Sequence, residues 1–152
     1  MSSTSPSAIA ITTAEASAIT TAEASAIAAV VLAHLQDAWN HADGRAWGEC
    51  FAGANDFVDI RGEHHAGDAE SIGRAHQGIF DTIYRGSTVR YQLESARPIA
   101  EGVIVAVASG VMDAPSGPLA GRNQARFTMV LTTAAGRWEI ASFHNTLVPP
   151  AA

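Results

Sequence analysis

The apolar residues of this chain follow helical spacing in its first half and strand-like alternation in its second. Ile27, Val30, Val31, Leu35, Ala38 and Trp39 recur at helical intervals, which predicts a helix from about Ser25 to about His41. The turn-forming "NHADG" ends it, and Asp43 can cap a shorter helix in "GRAWGECF". "DFVDI" alternates briefly and reads as a strand. Past the polar, turn-rich "RGEHHAGDAES", Ser71 can cap a third, amphipathic helix with Ile72, Ala75, Ile79, Phe80 and Ile83 on one face. Everything afterwards is strand-like. "STVRYQLESARPI" sets Val89, Tyr91 and Leu93 on one side, and "GVIVAVASGVMD" is almost continuously apolar, as a central strand is. "RNQARFTMVLTT" and "GRWEIASFHNT" form a last pair joined by a hairpin at "AAG". Helices first and long antiparallel strands afterwards predict an α+β domain, one curved sheet wrapped against helices.

The stretch before Ser25 behaves differently. "AITTAEAS" stands at residues 10–17 and again at 18–25. Eight residues at about 100° each rotate Ile11, Ile19 and Ile27 by roughly 80° per repeat, so they make no apolar stripe. Two copies are also too few for a solenoid. The expected organisation is a repetitive, flexible tail over 1–25, a domain over 26–147 and a short C-terminal tail over 148–152.

Composition narrows the function classes. The 152 residues suit one domain that buries about two thirds of its unfolded surface. The net charge is −6 and all nine basic residues are arginine. An acidic chain without a basic cluster argues against nucleic acid or a membrane surface as partner. The longest apolar run, "AIAAVVLA", is too short to span a bilayer. With no positive charge before Arg45 to form a secretory n-region, a soluble cytoplasmic protein is expected. The lone Cys50 excludes an internal disulfide and a multi-cysteine metal site, and reads as a small buried hydrophobe.

Several polar residues interrupt the pattern. His76 falls on the apolar face of the third helix, where it is either a satisfied core histidine or a group suited to proton transfer near neutral pH. In the last strand, alternation puts Trp138, Ile140, Ser142 and His144 on one face and Glu139, Ala141, Phe143 and Asn145 on the other. His144 and Asn145 therefore face opposite ways. Arg126 is solvent-face decoration or a ligand contact. His64 and His65 are adjacent, so a strand would point them apart, and no HxH or HxxxH pair exists to hold a metal. No metal site is expected. Asp56 is a strand-start residue or a carboxylate with a catalytic part to play. No P-loop, GxGxxG or nucleophile elbow occurs, and no cofactor is expected.

The run "NDFVDIRGEHHAGDAESIGRAHQGIFDTIYRGS" followed by "GRWEIASFHNT" resembles the nuclear-transport-factor-2-like (NTF2-like) superfamily, and within it the SnoaL-like, SgcJ/EcaC-type subgroup of antibiotic gene clusters. The resemblance covers about residues 26–147. It implies a cone-shaped α+β fold, with a curved antiparallel sheet and about three helices enclosing a pocket, and a homodimer. It also implies a role in polyketide or enediyne biosynthesis, on an apolar, carbonyl-bearing small molecule. Chemistry of that kind needs a positioned acid/base in a dry cavity and no cofactor.

His76, His144 and Asp56 are thus the candidate catalytic residues, with Asp56 fixing a histidine tautomer. Asn145, Trp39, Phe57, His65, Phe80, Arg126 and Phe127 are the candidate ligand-binding residues, and Arg85 is a further family-like position. Two rival readings accompany the enzymatic one. One is a non-catalytic small-molecule carrier or accessory protein with the same pocket. The other is a purely structural histidine–asparagine network in a filled interior.

Overall fold

The computed structural model describes residues 19–151. Three helices and six strands follow in order: α1 Thr21–Asn40, α2 Gly44–Glu49, β1 Phe51–Val58, β2 His64–Gly67, α3 Ala69–Phe80, β3 Thr88–Ala100, β4 Val103–Ala114, β5 Gly121–Ala134 and β6 Arg137–Val148. The strands form one sheet in the order β2-β1-β6-β5-β4-β3. The four long strands pair antiparallel in sequence order. β1 runs parallel to β6, so the sheet is mixed rather than purely antiparallel as expected.

The helix starts differ from expectation for local reasons. α1 begins at Thr21 rather than near Ser25, because the second repeat copy carries a capping box. The Thr20 hydroxyl accepts from the Glu23 amide at 3.0 Å, and the Glu23 carboxylate accepts from the Thr20 amide at 3.3 Å. The first repeat copy lies outside the described residues. α3 is capped by Asp68, with Ser71 in the third helical position completing the reciprocal pair. α2 starts at its expected cap, Asp43.

The helices lie across the concave face of the sheet. α1 crosses β3, an edge strand whose unpaired backbone groups need partners. Asn40 supplies two of them, accepting from the Val89 amide at 2.8 Å and donating to its carbonyl at 3.0 Å. Gln36 accepts from the Tyr91 amide at 2.8 Å. Between helix and sheet the core is closed at one end by Leu35, Ile104, Met129, Leu131 and Ile140, all fully buried. Towards the other end the inward side chains shrink to Ala106, Ala108 and Gly110 on β4, and the interior opens.

Two local irregularities aim β6. The β5–β6 turn places Ala135 at φ 52° and Gly136 at φ 74°, the pair of positive φ values that tight hairpins use. Opposite Val130 and Leu131, the residues Ser142 and Ile140 pair while Ala141 is skipped. This bulge resets the alternation, so that Ile140 and Phe143 both face inward and are buried.

Candidate functional site

The open end of the cone is a cavity of about 600 Å³, within the usual size of small-molecule sites. Its walls are mainly aromatic, with Trp39, Trp47, Phe57, Tyr91, Phe127 and Phe143 contributing. Phe143 stacks on Phe57 at 5.0 Å and on Phe127 at 4.6 Å, near the spacing of adjacent strands. Tyr91 meets the edge of Phe127 at 5.3 Å. The Tyr91 ring lies over Gly110, where a Cβ would come within 2.8 Å of it.

His76 enters from α3. Its ring stacks on Trp47 at 4.6 Å with the planes 27° apart, and Phe57 presents an edge at 5.3 Å. This approach depends on α2 and α3 touching backbone to backbone through Gly44, Gly48 and Gly73. A Cβ on Gly73 would lie 2.8 Å from the Gly44 carbonyl oxygen. His76 is buried and lines the cavity. Its Nδ1 is 2.9 Å from the Ile72 carbonyl. A carbonyl only accepts, so Nδ1 carries the proton and Nε2 keeps its lone pair. Among the described residues Nε2 has no hydrogen-bond partner. Burial pushes the imidazole down to about 4, partly opposed by the Ile72 hydrogen bond. The ring is therefore neutral at physiological pH, an acceptor facing an apolar cavity. Burial likewise drives the Tyr91 phenol well above its usual range, so it stays protonated as a donor.

The mouth is polar. His65 Nε2 lies 3.1 Å from Asp59 Oδ2, and Asp59 also accepts from the amides of Arg61 at 2.8 Å and Glu63 at 3.1 Å. Burial works to raise the Asp59 carboxyl, but these donors outweigh it and hold the group at about 2. Asp59, Glu63 and His65 bring one potential ligand atom each within 4.8 Å of one another. The Arg61 guanidinium already supplies their counter-charge, at 3.4 Å from Asp59 and 3.0 Å from Glu63.

The cavity gathers part of the expected site. Trp39, Phe57, His65, His76, Phe127 and Asn145 line it. His144 does not: it is exposed on the outer sheet face, because the strand turns Asn145 inward and its neighbour outward. Asp56 is also outside the cavity, and its carboxylate is 2.7 Å from Nε2 of His64. It orients that exposed ring, and the tautomer of His76 is set by Ile72 instead. Arg126 lies on the outer face in a two-pronged ion pair with Glu94, at 3.0 and 3.2 Å. Phe80 sits behind the wall, edge-on to Trp39 at 4.9 Å. Arg85 donates to the Asp81 carbonyl at the end of α3. Cys50 is half-buried, and burial raises its thiol to about 11. The open cavity removes the reading of a filled interior.

Trp47 and Tyr91 belong to the cavity and were not singled out from sequence. Tyr91 belongs to the stripe that alternation puts on one side of β3 with Val89 and Leu93. Trp47 sits in a six-residue helix, too short to display a periodic face.

Neither a family model nor a curated protein matches the sequence. Solved structures do match. A protein with a cystatin-like fold from Caulobacter vibrioides is 27% identical, with a TM-score of 0.74 over 84% of this chain and 92% of that one. A ketosteroid isomerase-like protein from Erwinia carotovora is 12% identical, with a TM-score of 0.68 over 82% and 96%. An NTF2-like protein of unknown function from Shewanella oneidensis is 14% identical, with a TM-score of 0.69 over 80% and 98%. The fold is the NTF2-like cone. No helix among the described residues is long and apolar enough to cross a membrane.

Proposed function

We propose that the cavity takes an uncharged, largely apolar carbonyl compound and that His76 moves a proton next to its carbonyl group, without a cofactor. The observation that carries this reading is the state of His76. It is a neutral imidazole with Nδ1–H committed to Ile72 and Nε2 unpartnered, in the wall of an aromatic cavity. Nε2 takes the proton from the carbon beside the carbonyl, and the electron pair of that C–H bond moves into the carbonyl as an enolate. The neutral Tyr91 hydroxyl and the Asn145 amide, two of the polar groups that line the cavity, stabilise the oxygen. Return of the proton to a different carbon completes an isomerisation, and loss of a β-hydroxyl as water completes a dehydration. A polyketide-type ketone is the substrate that the sequence resemblance favours. Half-buried valines along the outer side of β4, at 103, 105 and 107, favour a homodimer packed through the sheet.

A binding-only role has one observation on its side. The Nδ1 partner of His76 is its own helix carbonyl, not a carboxylate that would steady a developing imidazolium. Incubating the protein with enolisable ketones in heavy water, and following α-deuteration by NMR, decides between the two.

A further inference from the structure

A proton taken up by His76 leaves a positive charge on a buried ring, and the groups around that ring decide how well the charge is borne. Ile72 of the same helix accepts from Nδ1. His65 of β2 is the titratable side chain that acts on the ring, and its charge opposes a second one there. Trp39 of α1, Phe57 of β1 and Phe80 of α3 bring uncharged rings, at interplanar angles of 72°, 86° and 62°. Among the described residues no carboxylate pairs with His76.

Trp47 of α2 stands apart from these. Its indole is stacked on the imidazole, with centroids 4.6 Å apart and planes at 27°. The face of an aromatic ring carries the negative part of its quadrupole, and indole attracts a cation within about 6 Å more strongly than phenyl or phenol does. Trp47 and His76 are only 2% and 6% exposed, so the attraction acts in a low-dielectric interior. A neutral imidazole gains less from that face than an imidazolium, and the contact therefore strengthens as the proton arrives.

The ring face is also what this indole has to offer. Trp39 uses its N–H to donate to the Ser87 hydroxyl at 2.9 Å. Nε1 of Trp47 is unpaired and closed off from the cavity. Phenylalanine at 47 would avoid that unpaired donor, but with a weaker face. The backbone contact of α2 with α3 through Gly44 and Gly73 fixes the spacing of the pair.

We infer that the indole face of Trp47 stabilises the imidazolium that His76 becomes, taking the part that a carboxylate plays behind other histidine bases. Trp47 is thus a positioning residue that acts through His76. The inference rests on the proposal that Nε2 takes a proton from the ligand's carbon and returns it to the ligand, and it supplies the support that the Ile72 carbonyl alone does not give.

The test places fluorinated tryptophans at position 47 of the full chain, from one ring fluorine to four. Fluorine drains the ring face while nearly keeping its shape, and the unpaired N–H has no partner through which to act. With 2-tetralone in heavy water, the tetrafluoro ring should lower kcat for α-deuteration at least about tenfold with KM within about twofold, the signature of a contact made only in the transition state. Rings with fewer fluorines should fall in order between. The NMR titration midpoint of His76, about 4 in the wild type, should drop by about one unit in the tetrafluoro protein. Trp47→Leu should lose as much as the tetrafluoro ring and Trp47→Phe less, and the fluorinated series answers the question should either fail to fold. A kcat and midpoint indifferent to fluorination overturn the inference, even if Trp47→Leu is inactive, because the indole would then act by its shape. Failure of proton transfer is read separately. If the wild type accelerates no exchange, the catalytic proposal falls. A lowered midpoint then still upholds the Trp47–imidazolium contact, and an unchanged one overturns it.

Discussion

The Trp47 indole and the His76 imidazole lie face to face, 4.6 Å apart, although they come from different helices. Three glycines make this possible by letting α2 and α3 meet without side chains between them. The pair joins a group with an unused donor to one with an unused acceptor, at the wall of an aromatic cavity.

Gly73→Ala tests the helix contact. A Cβ there would lie 2.8 Å from the Gly44 carbonyl oxygen, which is backbone and cannot swing aside. The substitution should cost roughly 1–3 kcal/mol in urea denaturation. It should also shift the His76 ring resonances, because α3 has to move away from α2. A variant as stable as the wild type with unchanged His76 signals would mean the helices are not packed this way.

His76 gives stability a pH dependence of defined sign. Burial holds the folded-state imidazole at about 4, against an ordinary value of 6.5. Between those values the unfolded chain binds the proton and the folded chain does not. Stability therefore falls as pH drops from about 6.5 towards 4, and this contribution levels off below that. The full difference corresponds to on the order of 3 kcal/mol, of which roughly 2 should be gone by pH 5. Denaturant unfolding at pH 7 and pH 5 measures it, and His76→Gln should flatten the change. An equal decline in the variant would place its origin elsewhere.

Thr20→Ala addresses the repeat. Thr20 and Glu23 form the α1 capping box within the second copy of "AITTAEAS". Removing the hydroxyl should cost about 1 kcal/mol, with faster hydrogen exchange confined to the first turn of α1. No change in either measurement would contradict the cap.

The fold was legible because its signals are periodic. The amphipathic third helix and the four long strands, three alternating and one almost continuously apolar, are each long enough to be read, and His76 was found by its place on a helical face. The site was legible only in part, because it depends on where periods break. The skipped Ala141 resets β6, so the strict alternation that set Phe143 opposite Ile140 does not hold across it. The contrast between His144 and Asn145 lies beyond the bulge and was readable, but which of the two turns inward was not. Asp56 and Arg126 have chemistry that suits a site, yet each is engaged by a neighbour on the outer face, His64 and Glu94. Such pairings depend on strand register. Trp47 left no signal at all: one turn and a half of helix has no measurable period, and an unpaired N–H is a property of the folded interior.

The central claim is that Nε2 of His76 moves a proton in this cavity. The most direct measurement is α-deuteration of 2-tetralone in heavy water by the wild type and by His76→Gln, followed by NMR alongside calorimetric binding of the same ketone. The account predicts that the wild type accelerates exchange over the buffer rate. It predicts that the variant loses at least about a hundredfold of that acceleration while keeping its ketone affinity within a few-fold. Exchange at the wild-type rate in His76→Gln, or no acceleration by a wild type that binds the ketone, would contradict it.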